Sequence, residues 1–363
     1  MERRKFLQSA AVTGAGATAA VIGAPAIAQG KKEMVIVSTW PRDFPGLGTS
    51  AQRLAARITE LTEGKITTKY FAAGERVGAF DSFDEVASGN AQAYIGAEYY
   101  WKGKHPAFAY FTSVPFGMTA NEFNAWVKYG GGQKLWDTVA AEFGVKGLLA
   151  GSTGTQMGGW FNKEIETAED LKGLKMRIPG LGGDVMTKLG ASPVSLPGGQ
   201  IYENLVSGAI DATEWVGPWN DYFMKFYEAA KYYYYPGMHE PGSALALGLN
   251  LKFWNSLSKI EQELITAACI EENGNAYDEG NARNGEYLSK LVNEHGVELR
   301  QFSEEIYDSF GEASAAVFEE TREHSALAKQ VNDDYMKALK EIAGYAKIAE
   351  IAYSNQRNRV LGI

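Results

Sequence analysis

What most restricts the fold of this chain is a unit that keeps returning: a short apolar strand, a segment with helical spacing, and a glycine that ends it. Residues 34–38 read as a buried strand. Ala51, Leu54, Ala55, Ile58 and Leu61 then share one helical face, Gly64 supplies the stop, and residues 65–71 alternate as a second strand. A short helix from Phe83 to Ser88 is closed by Gly89 and followed by a strand over 91–95. Leu135, Val139 and Phe143 mark another helix, stopped by Gly144 before a strand over 145–149. Strands that alternate with helices in this way specify an α/β fold with mostly parallel sheets.

The order repeats further along. Thr167-Ala168-Glu169-Asp170 is a helix-start signal close to a capping box. Residues 174–178 read as a strand, 184–189 as a helix and 193–196 as a strand. Glu85 to Tyr94 aligns without gaps against Asn204 to Thr213, each a helix ended by Ser-Gly and followed by a strand, a weak echo of two similar lobes. From Ser258 onward the pattern is helical only, over 258–294 and 304–354, with Val331, Tyr335 and Leu339 striping the second stretch. The expected architecture is two α/β lobes followed by a helical C-terminal region.

The first residues address the chain rather than fold it. Arg3 and Arg4 form a twin-arginine pair ahead of Phe6 and Leu7, small and apolar residues run from Ala10 to Ala26, and Ala26-Ile27-Ala28 is a small-x-small cleavage site. This is the layout of an export signal of the twin-arginine (Tat) type, covering residues 1–28. Gly14 to Ala19 imitates a dinucleotide-binding glycine motif, but no strand precedes it and it lies within the signal. The chain carries a formal charge of −9, and loss of Glu2, Arg3, Arg4 and Lys5 takes the remainder to about −11, a field that argues against nucleic acid and anionic lipid as partners. An anionic ligand must then be attracted locally. Cys269 is the only cysteine, which excludes a disulfide framework, a zinc cluster and a paired-cysteine redox motif; within the apolar run 264–270 it reads as a buried, inert thiol. No stretch after residue 30 is long and apolar enough to span a bilayer.

Three internal segments, together with the export signal, carry a resemblance. They are Asp170-Leu171-Lys172-Gly173-Leu174-Lys175-Met176-Arg177-Ile178-Pro179, then Gly190-Ala191-Ser192-Pro193-Val194, then Gln200 to Ala212 with its Ser207-Gly208-Ala209-Ile210-Asp211. In this order they resemble the TRAP-transporter solute-binding family, the periplasmic receptors of secondary carboxylate transporters, and the likeness spans essentially the whole chain after the signal. It implies a two-lobed periplasmic-binding-protein architecture. Lobe I is expected over 29–152 with a returning segment near 241–256, and lobe II over 153–240. Long helices over 257–363 are expected to bridge the lobes. It implies a small organic anion as ligand and TRAP membrane subunits as partners, and Arg177 matches the arginine that pairs with the ligand carboxylate. Thr213-Glu214-Trp215-Val216-Gly217-Pro218-Trp219 is similar to the subgroup that takes α-keto and α-hydroxy monocarboxylates through a metal cation. In that subgroup the cation is held by residues matching Gln156, Glu214, Trp215 (through its backbone carbonyl) and Glu240. Some of its members form homodimers by exchanging a C-terminal helix.

The residue types suit these roles. A guanidinium is planar, permanently charged and forked, so Arg177 can hold a carboxylate with two parallel hydrogen bonds. It precedes Pro179-Gly180, where a strand of an α/β lobe opens onto a cleft. Glu214 beside a bound carboxylate would repel it, by about 1 kcal/mol at ~4 Å in water and about 4 kcal/mol at an effective dielectric near 20. Either Glu214 is protonated or a cation lies between the two anions. An oxygen-only set favours a hard cation, Na⁺ or alternatively Ca²⁺, over zinc. Tyr99, Tyr100 and Trp101 follow the 91–95 strand as Glu214 and Trp215 follow the strand before them, which places them at the opposite lip of the cleft. Trp160, Phe161, Trp215 and Trp219 are expected to shield the site from water, whereas Tyr232 to Tyr235 reads as a packed strand.

The motifs of enzymes are missing. There is no nucleophile elbow, no His-Glu-x-x-His, no phosphate loop, and His105, His239, His295 and His324 are scattered without metal-ligand spacing. An arginine with a cation site holds an anion and offers no obvious base, so the chain reads as a receptor and not an enzyme. Dicarboxylates and sugar acids remain open as ligands, and a signalling protein remains open as a partner.

Overall fold

The structure, a computed structural model, describes residues 30–363; the twin-arginine pair and the 26–28 cleavage site lie outside the described residues. The strands are β1 (Lys32–Ser38), β2 (Ile66–Phe71), β3 (Ala93–Gly96), β4 (Val145–Ser152), β5 (Gly159–Phe161), β6 (Lys175–Arg177), β7 (Ser192–Val194), β8 (Ala212–Thr213), β9 (Tyr232–Tyr235), β10 (Ala244–Asn250) and β11 (Glu298–Gln301). They form two sheets, ordered β2-β1-β3-β10-β4 and β11-β9-β5-β8-β6-β7. The fold is α/β and two-lobed, with helices between the strands and a helical C-terminal region.

The sheets are less parallel than the helix–strand alternation implies. β10 runs antiparallel to both β3 and β4, and β5 antiparallel to both β8 and β9. The reason is the route between sheets. The chain leaves the first sheet at Ser152 and comes back at Ala244, directly opposite it in register. The two crossing segments therefore run side by side and bond to each other: Thr153 N to Ser243 O at 3.0 Å, Gln156 N to Glu240 O at 3.0 Å, and Gly237 N to Gln156 O at 3.2 Å. A third crossing is the 37-residue helix Lys259–His295, begun by Ser258, whose side chain accepts from Glu261 N.

Two expectations for the C-terminal region change. Residues after Ser258 are not helical throughout, because β11 adds to the edge of the second sheet in parallel with β9. The stretch 304–354 is three helices, Glu304–His324, Ala326–Ala346 and Glu350–Leu361. Ser325 makes the first break: its backbone is extended and its hydroxyl caps Ala328 N at 3.1 Å.

The echo between Glu85–Tyr94 and Asn204–Thr213 is a conformational match. Helix Ser82–Ala87 leads through Gly89 (φ 86°) into β3, and helix Gly198–Val206 leads through Gly208 (φ 73°) into β8. Both glycines sit in the left-handed region that closes a helix. β3 and β8 are interior strands of their respective sheets.

Apolar burial does not divide at the lobe boundary. One buried cluster joins Phe83, Tyr94 and Trp126 with Phe161, Met176 and Phe302; the other joins Ile36, Ile58 and Leu247 with Trp160, Ile201 and Tyr233. The lobes also touch directly. Asn220 Nδ2 donates to Pro45 O at 2.5 Å, Phe44 meets Trp215 edge-on at 6.1 Å, and Lys102 pairs with Asp184 at 2.5 Å.

Candidate anion and cation site

The site forms where the crossing segments meet the ends of β6 and β8. Arg177 ends β6 in register with Thr213 of β8, so Glu214 is the first residue past that strand. Glu214 N donates to Arg177 O at 3.2 Å. The guanidinium is 1 % exposed and packs over the Trp215 ring at 5.2 Å. Its Nε donates to Leu196 O at 3.1 Å, its Nη1 to Glu214 O at 3.2 Å and also to Glu214 Oε1. Glu214 Oε2 lies 3.2 Å from His239 Nε2.

The second half of the site hangs on the crossing segments. Gln156 Nε2 donates to Glu240 Oε2 at 2.7 Å and to Thr153 Oγ1 at 3.1 Å, and Ser243 Oγ also donates to Glu240 Oε2. One donor atom from each of Glu214, His239 and Glu240 falls within 4.8 Å of the other two, all three residues being buried.

Four buried polar atoms here have no hydrogen-bond partner. Two are donors, Arg177 Nη2 and Trp215 Nε1; two are acceptors, Gln156 Oε1 and Glu240 Oε1. Each such atom costs about 1–3 kcal/mol of lost solvation, and buried polar groups are otherwise almost always satisfied. Unpaired donors next to unpaired acceptors fit a ligand with a negative end and a positive end. The acceptors are an amide and a carboxylate oxygen, the donor chemistry of a hard cation.

The electrostatics agree. Burial and the nearby charge of Glu214 push the Glu240 carboxyl up to about 7, a cost that a cation would relieve. Burial alone would lower the His239 imidazole, but its hydrogen bond and charge contact with Glu214 outweigh burial and raise it. Burial raises both Tyr99 and Tyr100, which sit in the field of Arg177, Glu214 and Glu240.

The sequence-predicted residues Gln156, Arg177, Glu214, Trp215 and Glu240 thus come together. Tyr99 and Tyr100 lie on the turn Glu98–Trp101 after β3, within electrostatic reach of Arg177, Glu214 and Glu240. Gly180 takes φ 64°, and a Cβ there would lie 3.2 Å from the Tyr99 ring, so only glycine lets the tyrosine approach the end of β6 so closely. Both tyrosines line a cleft of about 380 Å³ with Ile178, Pro179 and Asp184.

Other expectations are corrected. Trp160 stacks on Tyr233 with centroids 4.0 Å apart, and Phe161 packs against Tyr234 and Phe302; both are core of the second sheet, not a screen over Arg177. Trp219 lies on the seam against Gly46. The choice posed for Glu214, protonation or a cation, omitted a third partner: Arg177 itself, with His239. The oxygen-only ligand set is likewise incomplete as a description of the site, because His239 shares it. The sequence gives His239 no role of its own, because no second histidine stands at ligand spacing; its adjacency to Glu240 is the available signal. Thr153 and Ser243 carry no signal, being ordinary polar residues until the crossings are folded.

Residues 36–324 match the profile of the bacterial extracellular solute-binding proteins, family 7 (DctP). The chain belongs to this family. Its members are substrate-binding receptors of TRAP transporters, not enzymes. The receptor is 40 % identical over 362 residues to a monocarboxylate 2-oxoacid-binding periplasmic protein of Nostoc sp., covering 98 % of each chain. It resembles a TRAP periplasmic solute-binding protein from Colwellia psychrerythraea solved with calcium and pyruvate (TM-score 0.87, 36 % identity, 90 % of this chain and 100 % of that one). It also resembles one from Pseudoalteromonas atlantica solved with sodium and pyruvate (TM-score 0.87, 37 % identity, 90 % and 99 %). Among the described residues no helix is long and apolar enough to cross a membrane.

Proposed function

We propose that this receptor captures a small 2-oxo monocarboxylate, pyruvate or a close relative, together with one cation, Na⁺ or Ca²⁺. The observation that carries the reading is the set of four unpaired buried atoms around Glu214. Arg177 takes the ligand carboxylate through its free Nη2. Gln156 Oε1, Glu214, Glu240 and the Trp215 carbonyl hold the cation, which supplies positive charge between the acidic side chains and the ligand oxygens. Tyr99 and Tyr100 cover the ligand from the first lobe. The bound neighbours support this choice, since both were solved with pyruvate and a cation of one of these two kinds.

Capture closes lobe I (29–152 with 241–256) on lobe II (153–240). The paired crossings at 153–158 and 236–243 are the short connections about which such a motion turns. Residues 1–28 direct Tat export to the periplasm, where the loaded receptor meets its membrane subunits. The C-terminal helix Glu350–Leu361 buries none of its residues and leaves Ile351, Tyr353, Val360 and Leu361 exposed. These unpartnered apolar side chains, spread around the helix, support a homodimer made by exchange of this helix. Light scattering of the chain and of a version ending at Lys347 tests it: a dimer that becomes a monomer is expected, and a monomeric full chain overturns it.

The decisive experiment for the ligand is calorimetry of pyruvate on protein stripped of ligand and metal, with Na⁺, with Ca²⁺ and with neither. Binding only in the presence of a cation is expected. Binding without one makes Glu214 and Glu240 structural, and no binding in any condition replaces the 2-oxo acid with a dicarboxylate or sugar acid.

A further inference from the structure

The structure assigns to Asp221 the task of aiming the Trp215 carbonyl at the cation, an inference that rests on the cation reading above. Asp221 is 1 % exposed, and four donors converge on its carboxylate. Oδ2 accepts from Trp160 Nε1 at 2.9 Å and from Tyr233 OH at 2.7 Å. Oδ1 accepts from Val216 N and Gly217 N, both at 3.1 Å. One oxygen is therefore fixed to the sheet, since Trp160 and Tyr233 are cross-strand partners on β5 and β9. The other is fixed to the loop that leaves β8.

The Val216 N–H and the Trp215 C=O belong to one peptide group, which is planar and trans, so its two dipoles point in opposite directions. Holding the N–H on Asp221 directs the carbonyl the other way. The neighbouring carbonyls are already engaged: Glu214 O accepts from Arg177 Nη1 at 3.2 Å and Thr213 Oγ1 at 2.9 Å, and Val216 O accepts from Met157 N at 3.1 Å. Trp215 O lies between them. A hydrogen bond accepted from the N–H also draws electron density onto the carbonyl oxygen of the same peptide, which makes it a better ligand for a hard cation. Asp221 is a positioning residue, since it acts through the loop and does not touch the ion.

Outer partners of this kind set metal affinity by about 10–100-fold, and the test reads that quantity. Ca²⁺, and separately Na⁺, is titrated into stripped protein at fixed pyruvate for wild type, Asp221→Asn, Tyr233→Phe and Tyr234→Phe. Tyr234 is on the same strand but bonds to Ile165 on the far side of the sheet, so it reports general loosening of the lobe. The expected result is Ca²⁺ affinity at least tenfold weaker in Asp221→Asn, weaker by a few fold in Tyr233→Phe, and near wild type in Tyr234→Phe. If Asp221→Asn does not fold, as judged by circular dichroism, the contrast between the two tyrosine variants carries the same test. Cation-dependent wild type with Asp221→Asn no weaker than Tyr234→Phe overturns the role of Asp221 alone. Wild type indifferent to both cations overturns the cation reading, and this inference with it.

Discussion

Glu98 and Glu214 are the same residue type in nearly the same place of two matching units. Each follows a helix, a left-handed glycine and an interior strand, and each is 0 % exposed. Their surroundings differ. Glu98 faces neutral donors only, Tyr94 OH at 2.8 Å and Trp136 Nε1 at 3.1 Å. Glu214 faces the Arg177 guanidinium and the His239 ring. Two neutral donors do not replace the solvation of a carboxylate, and burial pushes Glu98 up to about 7. The fold thus keeps one buried acid among neutral donors, where burial favours the protonated form, and sets the other against an arginine and a histidine. Only the second kind of site can exchange one of its charges for that of a ligand.

Arg177→Met should break the comparison most severely. It removes the carboxylate anchor and strands Glu214 without its strongest partner. Pyruvate affinity is expected to fall at least 100-fold, about 3 kcal/mol. Leaving one half of a buried pair typically costs about 3–5 kcal/mol of stability. Arg177→Met combined with Glu214→Gln should recover part of that stability and none of the binding. Calorimetry and thermal unfolding separate the two, and retained affinity in the single variant removes Arg177 from the site.

The Glu98 half of the comparison is tested by pH. Its carboxyl is raised from an ordinary 4.5 to about 7 in the folded chain, so between these values the folded state keeps a proton that the unfolded state has released. Stability from this group is present below pH 4.5 and is lost as pH rises toward 7, by about 3 kcal/mol in total at about 1.4 kcal/mol per unit. Glu98→Gln abolishes that slope, so its stability relative to wild type should improve from pH 5 to pH 7.5 in urea unfolding. An unchanged difference at the two pH values means that Glu98 is ionised in the folded protein.

Glu214→Gln should weaken the apparent cation affinity well beyond tenfold, since loss of an outer partner alone costs about 10–100-fold and Glu214 is placed on the cation itself. Glu98→Gln should leave it unchanged. Equal effects would mean that lobe stability, not charge at the site, governs the cation.

These contrasts also show what could be read before folding. The helix–glycine–strand units were legible because periodicity and a glycine stop are local properties. Arg177 and Glu214 stand at strand ends in two such units, but their roles at the site come from the resemblance to the solute-binding family and not from that position. β11 was not legible, since four residues with a mixed pattern become a strand only when β9 offers an edge. The meeting of Gln156 with Glu240, 84 positions apart, was read only through the resemblance, and His239 beside them was not read at all, because they are joined by backbone bonds between two crossings that have no periodicity of their own. Trp160 and Phe161 show the opposite error. Their aromatic character was visible, but alternation along a three-residue strand does not say which face meets the cleft.

The smallest expected effect lies at the rim. Lys102, one residue past the turn that carries Tyr99 and Tyr100, pairs with Asp184 on the helix that follows Arg177, with side-chain exposures of 31 % and 40 %. A pair that open to water contributes about 0–1 kcal/mol. If it holds the lobes together, that energy belongs to the closed state only, and Lys102→Ala should weaken pyruvate binding by no more than about fivefold. The loss should appear as faster release, because a closed-state contact slows opening and leaves encounter with the open site unchanged. It should also shrink at high salt, unlike the loss in Arg177→Met, whose partner is fully buried. Stopped-flow release rates at low and high salt decide this. An equal salt-independent loss would assign Lys102 to the ligand itself, and would move the boundary between the ionic site and its rim outward by one turn of chain.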